Sequence, residues 1–175
     1  MEVIDSNVNL ENQQASLASM FDKSMRPKVG LGVMILNEND EVLVSQRKTP
    51  GQAGDGLWCF PGGHLEFGES FQECAHREVE EEAAATLNFE SIKYLTTVNA
   101  FDRPTGYHYI VIYMFTKVLK DQHEFKNMEP NKQTDWQWIK WNEFVKFENL
   151  FQPYKFFFKQ GFNDLANIKR AVSDL

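Results

Sequence analysis

The strongest constraint on this chain lies in one stretch, Gly63–Ala85, which reads GHLEFGESFQECAHREVEEEAAA. A glycine turn is followed there by a segment in which charged residues recur at fixed intervals: Glu69, Arg77, Glu78, Glu81 and Glu82. We expect the turn and a following helix to bring the four carboxylates towards one spot. Carboxylate oxygens are the ligands of hard cations such as Mg²⁺, and such a cation implies phosphate chemistry.

A glutamate run alone usually forms a solvated helix face, but helical geometry argues against that for two of these residues. At about 100° per residue, Glu78 and Glu82 fall within the apolar stripe of the helix. That stripe is formed by Phe71, Cys74, Ala75 and Ala85. A carboxylate there is costly unless it is paired or bound to metal.

The beginning of the helix can also be predicted. Ser70 and Glu73 have the spacing of a capping box. The glycines at 62 and 63 allow a tight turn and a close approach of the backbone to a ligand. Arg77 lies one turn before Glu81, so an ion pair between them would orient the carboxylate.

Composition indicates one compact domain. The chain has 175 residues, of which 42% are hydrophobic and 14% aromatic, enough for a sizeable core. A net charge of −7 and a pI near 5.1 argue against a nucleic-acid partner. Cys59 and Cys74 do not suggest a disulfide framework, which favours a reducing compartment. No apolar run approaches the ~20 residues of a membrane span, and no signal-peptide pattern is present, so we predict a cytoplasmic protein without a membrane partner.

The pattern along the chain predicts a mobile tail over residues 1–26 and one α/β domain over residues 27–175. Periodicity predicts a mixed sheet between helical layers. The expected strands are Val29–Leu36 and Val42–Arg47 (a hairpin), Leu57–Phe60, Ile92–Asn99, Tyr107–Val118 and Trp136–Trp141. The segment Tyr154–Leu175 is expected to be helical in two pieces broken near Gly161.

The stretch Gly63–Ala85 resembles the Nudix box, Gly-x5-Glu-x7-Arg-Glu-U-x-Glu-Glu-x-Gly-U, of hydrolases of nucleoside diphosphates linked to another group. Val79 holds the aliphatic position, while Ala84 and Ala85 replace the glycine and aliphatic residue at the end. FPGGHLEFGES, the NMEP segment, the Trp-Gln-Trp strand and Leu150–Phe151 extend the resemblance over about residues 27 to 162. Together they are similar to MutT-type enzymes that act on nucleoside triphosphates, oxidised guanine nucleotides included.

The resemblance implies a Nudix fold, an α/β/α sandwich, and roles for individual residues. The implied ligands of Mg²⁺, or of Mn²⁺ in its place, are Glu78, Glu82, Glu81 and the carbonyl of Gly63. The implied catalytic residues are these three glutamates and Arg77. The implied substrate-binding residues are Arg47 on phosphate, Phe151 and Phe60 at the base, and Gly63 and His64 in the turn.

The residues alone leave several roles open. Arg47 fits a phosphate clamp or an exposed strand-end charge equally well. Phe151 fits a stacking platform or a core aromatic residue. The general base is either Glu81 or Glu129, which is otherwise an ordinary loop carboxylate. Gln152 stands where the relatives commonly have tryptophan, so base preference is expected to differ.

We therefore expect Mg²⁺-dependent hydrolysis of nucleoside triphosphates to nucleoside monophosphate and pyrophosphate, with a small-molecule nucleotide as the substrate. The alternatives are hydrolysis of nucleotide sugars, dinucleotide polyphosphates or capped RNA, and a nucleotide-binding regulator without turnover. A homodimer is expected because the relatives are commonly dimers. The run Phe156–Phe158 supports it, since three consecutive aromatic residues are not expected to face one core.

Overall fold

The computed structural model describes residues 25–51 and 54–173. Residues 1–24 lie outside this description, so the predicted tail over residues 1–26 is represented only by its last two residues. The described part of the chain contains a mixed six-stranded sheet in the order β3-β2-β1-β5-β4, with β6 also paired to β2. The strands are β1 Lys28–Leu36, β2 Glu41–Gln46, β3 Trp58–Cys59, β4 Lys93–Asp102, β5 Tyr107–Lys117 and β6 Gln137–Lys140.

The central strand β1 explains the continuous apolar run in the sequence. It pairs in parallel with β5 and antiparallel with β2. Leu31, Val33 and Ile35 are buried on one face of the sheet, and Met34 and Leu36 are buried on the other. A strand that is covered on both faces carries apolar residues without alternation.

Helices cover both faces of this sheet. The helices are α1 Phe71–Ala83, α2 Trp141–Phe144, α3 Tyr154–Phe157 and α4 Leu165–Ser173. Helix α1 packs Cys74, Val79 and Ala83 against one face, and the later helices pack Phe157 and Ile168 against the other. The predicted α/β/α sandwich is therefore confirmed. None of the helices described here is long and apolar enough to cross a membrane.

All six predicted strands are present, with shifted ends. The β1–β2 hairpin is confirmed by the pairing of Leu36 with Val42. β3 has only two residues where four were predicted. Arg47 was predicted to close β2 but lies just beyond it, in an isolated bridge with Gln133. This bridge joins the end of the hairpin to the loop that precedes β6.

The C-terminal segment confirms one expectation and corrects another. The helical break occurs at Gly161, whose φ of 88° favours glycine. The reasoning from Phe156–Phe158 was wrong, because all three rings pack in one core cluster. Phe157 is fully buried, while the Phe156 ring lies 6.1 Å from Phe101 and the Phe158 ring lies 6.2 Å from Trp141. The homodimer therefore stays a prediction without this support.

Helix α1 begins as predicted but presents a rotated face. The capping box of Ser70 and Glu73 is present with both hydrogen bonds. Phe71 was placed in the buried stripe, yet it is 38% exposed, and Val79 and Ala83 are buried in its stead. The rotation keeps Glu78 and Glu82 on the inner side of the helix, facing the glycine turn.

Helix α1 ends at a residue in a conformation that usually belongs to glycine. Ala84 is the C-cap with φ 52° and ψ 28°, and its N–H donates to the carbonyl of Glu80. A left-handed conformation costs a residue that bears a Cβ about 1–2 kcal/mol. Ala84, which replaces the glycine of the Nudix box, therefore still ends helix α1, but in a strained backbone conformation.

We expect Ala84→Gly to stabilise the protein by about 1 kcal/mol. In a chain of this size that raises Tm by about 2–4 °C, which circular dichroism measures on heating. Ala83→Gly is the matched control, because Ala83 is helical and glycine there should lower Tm. An unchanged or lower Tm for Ala84→Gly would contradict the strain.

Candidate active site

The glycine turn is set by close backbone packing against β1. The N–H of Leu31 donates to the carbonyl of Gly63, and that of Val33 to the carbonyl of Pro61, both at 2.8 Å. Gly62 has φ 146°, and a Cβ there would collide with the Leu31 carbonyl. A Cβ on Gly63 would collide with the Glu78 carboxylate. The two glycines thus allow the turn to lie directly between β1 and the carboxylates of α1.

Arg77 connects this turn to helix α1. Its Nε lies 2.6 Å from Glu69 Oε1 and its Nη2 lies 3.0 Å from Glu69 Oε2, a two-point pairing that fixes orientation. Nη2 also donates to the carbonyl of His64 at 3.1 Å. Nη1 donates to Glu78 at 2.9 Å and to Glu81 at 3.3 Å. One guanidinium group therefore holds three carboxylates and the backbone of the turn.

Glu78 and Glu82 are the least exposed carboxylates behind the turn. Glu78 is 8% exposed, and its burial raises the pKa of its carboxyl against the opposing effect of Arg77. Glu82 is half-buried, and its Oε2 accepts the N–H of Gly62 at 2.9 Å. Desolvation, together with the charges of Glu78 and Glu129, raises the pKa of Glu82 to about 8. Both groups would favour a nearby cation, which would stabilise their ionised forms.

Glu69 and Glu81, the other two carboxylates expected at the site, bond to Arg77. Arg77 lowers the pKa of the Glu69 carboxyl to about 2. The Glu81 side chain is 60% exposed and turned towards Arg77. Within residues 25–51 and 54–173, no three His, Cys, Asp or Glu side chains are close enough together to hold a metal ion. Of the four carboxylates expected to converge, Glu69, Glu78 and Glu81 thus meet at Arg77, while Glu82 bonds to the N–H of Gly62.

A small cleft of about 120 Å³ opens beside Glu82. The predicted residues Arg47, Phe60 and Phe151 line it, as does Glu129. The remaining lining residues are Leu31, Gly32, Thr49, Cys59, Gly62, Val111, Tyr113, Lys132, Gln133, Pro153 and Tyr154. A carboxylate at one end, aromatic walls and an arginine are suited to a ligand with a planar apolar part and an anionic part.

Arg47 and Phe151 form one wall of this cleft. The Arg47 guanidinium carbon lies 5.2 Å from the centre of the Phe151 ring, which is a cation–π contact. Phe60 is only 4% exposed and stacks on Phe144 at 5.6 Å. It is therefore mainly a core residue, and only part of its ring borders the cleft.

His64 belongs to an aromatic row that the sequence did not predict. Its Nε2 lies 3.1 Å from the hydroxyl of Tyr109, and the Tyr109 and Tyr107 rings stack at 4.9 Å. Tyr107 meets the edge of Phe151 at 6.3 Å. The two tyrosines alternate along β5, so they share one face of the sheet. The two-residue spacing of the tyrosines was the sequence signal that could have predicted this row. The row of rings extends from the glycine turn to the cleft.

The loop before β6 contributes Glu129, which the sequence indicated, and Lys132 and Gln133, which no motif identified. Glu129 Oε1 accepts from the Lys132 ammonium at 2.6 Å, and this contact raises the pKa of Lys132. Both residues line the cleft together with Thr49 and Gln133. The bridge between Arg47 and Gln133 and the hydrogen bond from the Lys48 N–H to the Lys132 carbonyl join this loop to the end of β2.

Comparisons with known proteins identify the architecture around this site. Residues 26–160 match the family described as NUDIX domain. Nudix hydrolase 2 of Arabidopsis thaliana is 31% identical over 119 residues, which are 67% of this chain and 41% of that protein. The chain thus spans less than half the length of this curated relative.

Solved structures share the fold at lower identity. The crystal structure of a MutT NUDIX hydrolase from Burkholderia pseudomallei has a TM-score of 0.60 and 24% identity, covering 67% of this chain and 86% of its own. A bifunctional NMN adenylyltransferase/ADP ribose pyrophosphatase from Francisella tularensis has a TM-score of 0.60 and 20% identity, covering 90% of this chain and 46% of its own. At these identities the likeness concerns the fold.

We expect Glu69→Gln to destabilise the protein by roughly 1 kcal/mol at pH 7, because it removes the ionic pairing with a partly exposed Arg77. The pKa of Glu69 falls from its ordinary value of 4.5 to about 2 on folding. A carboxyl group whose pKa is lowered on folding stabilises the fold at pH values above its pKa in the unfolded state. This stabilisation is lost as the pH falls through its pKa in the folded state.

The stability difference between the two proteins should therefore be full above pH 5 and vanish by about pH 2. Urea unfolding at several pH values measures it. Glu66→Gln, a change of an exposed neighbour in the same loop, serves as the control. A difference that is independent of pH would contradict the pairing.

Proposed function

The chain belongs to the Nudix family, and on that premise we propose that it is a metal-dependent hydrolase of nucleoside triphosphates, modified or oxidised deoxynucleotides included. The products would be a nucleoside monophosphate and pyrophosphate. The observation that carries the proposal is the placement of two carboxylates, the buried Glu78 and the half-buried Glu82, behind the glycine turn. Glu82 also opens onto the cleft that Arg47 and Phe151 line.

The donor set at this turn fits Mg²⁺ or Mn²⁺. Glu78, Glu82 and the Gly63 carbonyl supply only hard oxygen atoms, the ligands that these ions prefer. Desolvation raises the pKa of the Glu82 carboxyl, and a bound cation would favour its ionised form. When bound, such an ion neutralises phosphate charge and makes water a stronger nucleophile at neutral pH. Glu81 is a further ligand implied by the resemblance.

The remaining residues of the site bind the substrate or orient the carboxylates. Arg77 fixes Glu78 through a 2.9 Å hydrogen bond, so it acts as a positioning residue. Arg47 faces the cleft, where its guanidinium can bind phosphate oxygens. Phe151 offers a ring on which a base can stack, an interaction worth about 1–3 kcal/mol. Positioning and electrostatics of this kind supply most of the catalysis of phosphoryl transfer.

For the general base we propose Glu129. Glu129 lines the cleft with Glu82, whereas the Glu81 carboxylate is 60% exposed and bonded to Arg77. A base must reach the attacking water directly or through one further water. The position of Glu129 at the cleft wall is the better one for that role.

A nucleotide sugar, ADP-ribose or a dinucleotide polyphosphate is the alternative substrate class. The Francisella protein named above is described as an ADP ribose pyrophosphatase, and loops set selectivity in folds that are shared this widely. The cleft volume of about 120 Å³ fits one base, which nucleoside triphosphates, nucleotide sugars and ADP-ribose all carry, so it argues only against dinucleotide polyphosphates. The homodimer and the cytoplasmic location stay predictions from the sequence.

The proposed function is tested by measuring phosphate and pyrophosphate release from nucleoside triphosphates, nucleotide sugars and ADP-ribose, with and without Mg²⁺. We expect Mg²⁺-dependent pyrophosphate release from triphosphates. Glu82→Gln should lower kcat about a hundredfold or more, because it removes a charge that the transition state requires. Glu80→Gln, on the exposed side of the same helix, is the control. A folded Glu82→Gln protein with normal turnover would exclude this site.

The role of Glu129 is tested by comparing Glu129→Gln with Glu81→Gln at saturating Mg²⁺ and substrate. Glu129→Gln should lower kcat by about 10²–10⁴-fold, since an amide cannot accept the proton. Glu81→Gln should lower kcat much less. A large loss of kcat in Glu81→Gln alone would assign the base to Glu81.

A further inference from the structure

Three buried polar atoms find no hydrogen-bond partner within the described parts of the chain. They are Arg47 Nε, Thr49 Oγ1 and Gln133 Nε2, and all three residues line the cleft beside Glu82. Leaving a buried polar group without a partner destabilises the fold, and folded proteins contain few such groups. Their concentration at one cleft indicates that a ligand satisfies them.

The chemistry of these atoms specifies what the ligand must offer. The Nε of arginine and the Nε2 of glutamine can only donate hydrogen bonds, and a threonine hydroxyl can donate as well. The part of the ligand that meets them must therefore carry acceptors. Phosphate oxygens and carbonyl oxygens of a base both satisfy this requirement.

Gln133 is the most tightly held of the three. It is 4% exposed, and Ser45, its neighbour, is fully buried. The Ser45 hydroxyl donates to Gln133 Oε1 at 2.9 Å. The Gln133 N–H donates to the Glu129 carbonyl at 3.1 Å, and its carbonyl accepts from Asn127 Nδ2 at 3.0 Å. With the backbone fixed and Oε1 occupied, Nε2 is the amide atom left to meet a ligand in the cleft that Gln133 lines.

We propose that Gln133, oriented by Ser45, is a specificity-determining residue that donates a hydrogen bond to a carbonyl oxygen on the base of the substrate. This inference rests on the proposed function and names the base class that the site selects. Purines with a 6-oxo group place an acceptor where adenine places an amino group. Bases of the oxo class are favoured, and bases of the amino class leave Gln133 Nε2 unpaired.

The surroundings favour a base over a phosphate at this position. Gln133 is uncharged, and the cleft that it lines has apolar walls from Val111, Tyr113 and Tyr154. Charged groups are better placed for the phosphates, with Arg47 on one wall and Glu82 at the metal end. A planar ring between apolar walls, with one buried donor at its edge, is a common arrangement of small-molecule sites.

The test compares dITP with dATP, which differ at the 6-position and its neighbouring ring nitrogen. The wild-type protein should favour dITP by about tenfold or more in kcat/KM. Gln133→Leu removes the donor at similar volume and should lower kcat/KM for dITP by about 5- to 150-fold. The same change should affect dATP little, so the ratio of the two nucleotides approaches one.

Two further variants separate recognition from folding. Gln133→Glu replaces the donor by an acceptor and should reverse the preference towards dATP. Ser45→Ala removes the hydrogen bond to Gln133 Oε1, so the amide can rotate. The ratio of kcat/KM for dITP to kcat/KM for dATP should then fall, mainly because kcat/KM for dATP rises. Gln160→Leu is the control, because Gln160 bonds to Thr96 and Thr97 away from the cleft and should leave the ratio unchanged. Tm is measured for each variant.

An unchanged ratio in folded Gln133→Leu, or an equal loss for both nucleotides, would overturn the proposal. Calorimetric binding of dITP and dATP with Mg²⁺ separates this failure from failure of the proposed function. A wild-type protein that binds dITP more tightly than dATP, but hydrolyses neither, would support the role of Gln133 and exclude the hydrolase. A protein that hydrolyses both equally, with no effect of Ser45→Ala or Gln133→Glu, would support the hydrolase and exclude the role of Gln133.

Discussion

The pairing of Arg77 with its carboxylates is the interaction on which the rest of the site depends. The guanidinium group bonds to Glu69 in the loop, to Glu78 in the helix and to the carbonyl of His64 in the turn. It therefore fixes the distance between the glycine turn and α1. Buried carboxylates repel one another and lose hydration, and both effects favour the protonated form. Without the cation of Arg77, the Glu78 carboxylate behind Gly63 would therefore be protonated more readily. The arginine of the motif is thus a structural counter-charge before it contributes to any chemistry.

The backbone supplies the second constraint, because charge alone does not set the depth of the site. The turn lies so close to β1 and to Glu78 that a side chain at position 62 or 63 would collide with its neighbours. Glu82 then bonds directly to the Gly62 N–H, so the carboxylates meet the main chain of the turn. The backbone of the turn approaches the carboxylates of α1 closely, and only glycine leaves room for this approach. The glycines of the turn and the glutamates of the helix therefore depend on one another.

The fold and the carboxylate pair were predictable from sequence because both depend on short-range periodicity. Helical spacing places Glu78 and Glu82 inward, and a run of apolar residues identifies the central strand β1. The choice of partners for Arg77 was not predictable from spacing, since a flexible arginine reaches Glu69 eight residues away as well as Glu81. The cleft was harder still. Thr49 and Gln133 come from loops 84 positions apart, and the contacts of Ser45, Arg47 and Lys48 with the second loop bring them together. The Phe156–Phe158 run misled because a groove lined with aromatic residues can bury neighbouring rings on several sides of one helix.

The charged groups of this cleft account for its affinity for a polyphosphate but not for selection among bases. Its carboxylates are Glu82 and Glu129, and of its cations Lys132 is already paired with Glu129. Arg47 lies over Phe151 and is the cation best placed for phosphate. A polyphosphate with several negative charges therefore requires metal ions as well as Arg47 to enter, and that attraction is the same for every nucleotide. Stacking on Phe151 is equally tolerant of base identity. Selection among bases must then come from groups that are neutral, buried and directional. Of the two unpaired neutral donors at the cleft, Thr49 Oγ1 and Gln133 Nε2, the second belongs to the more deeply buried residue.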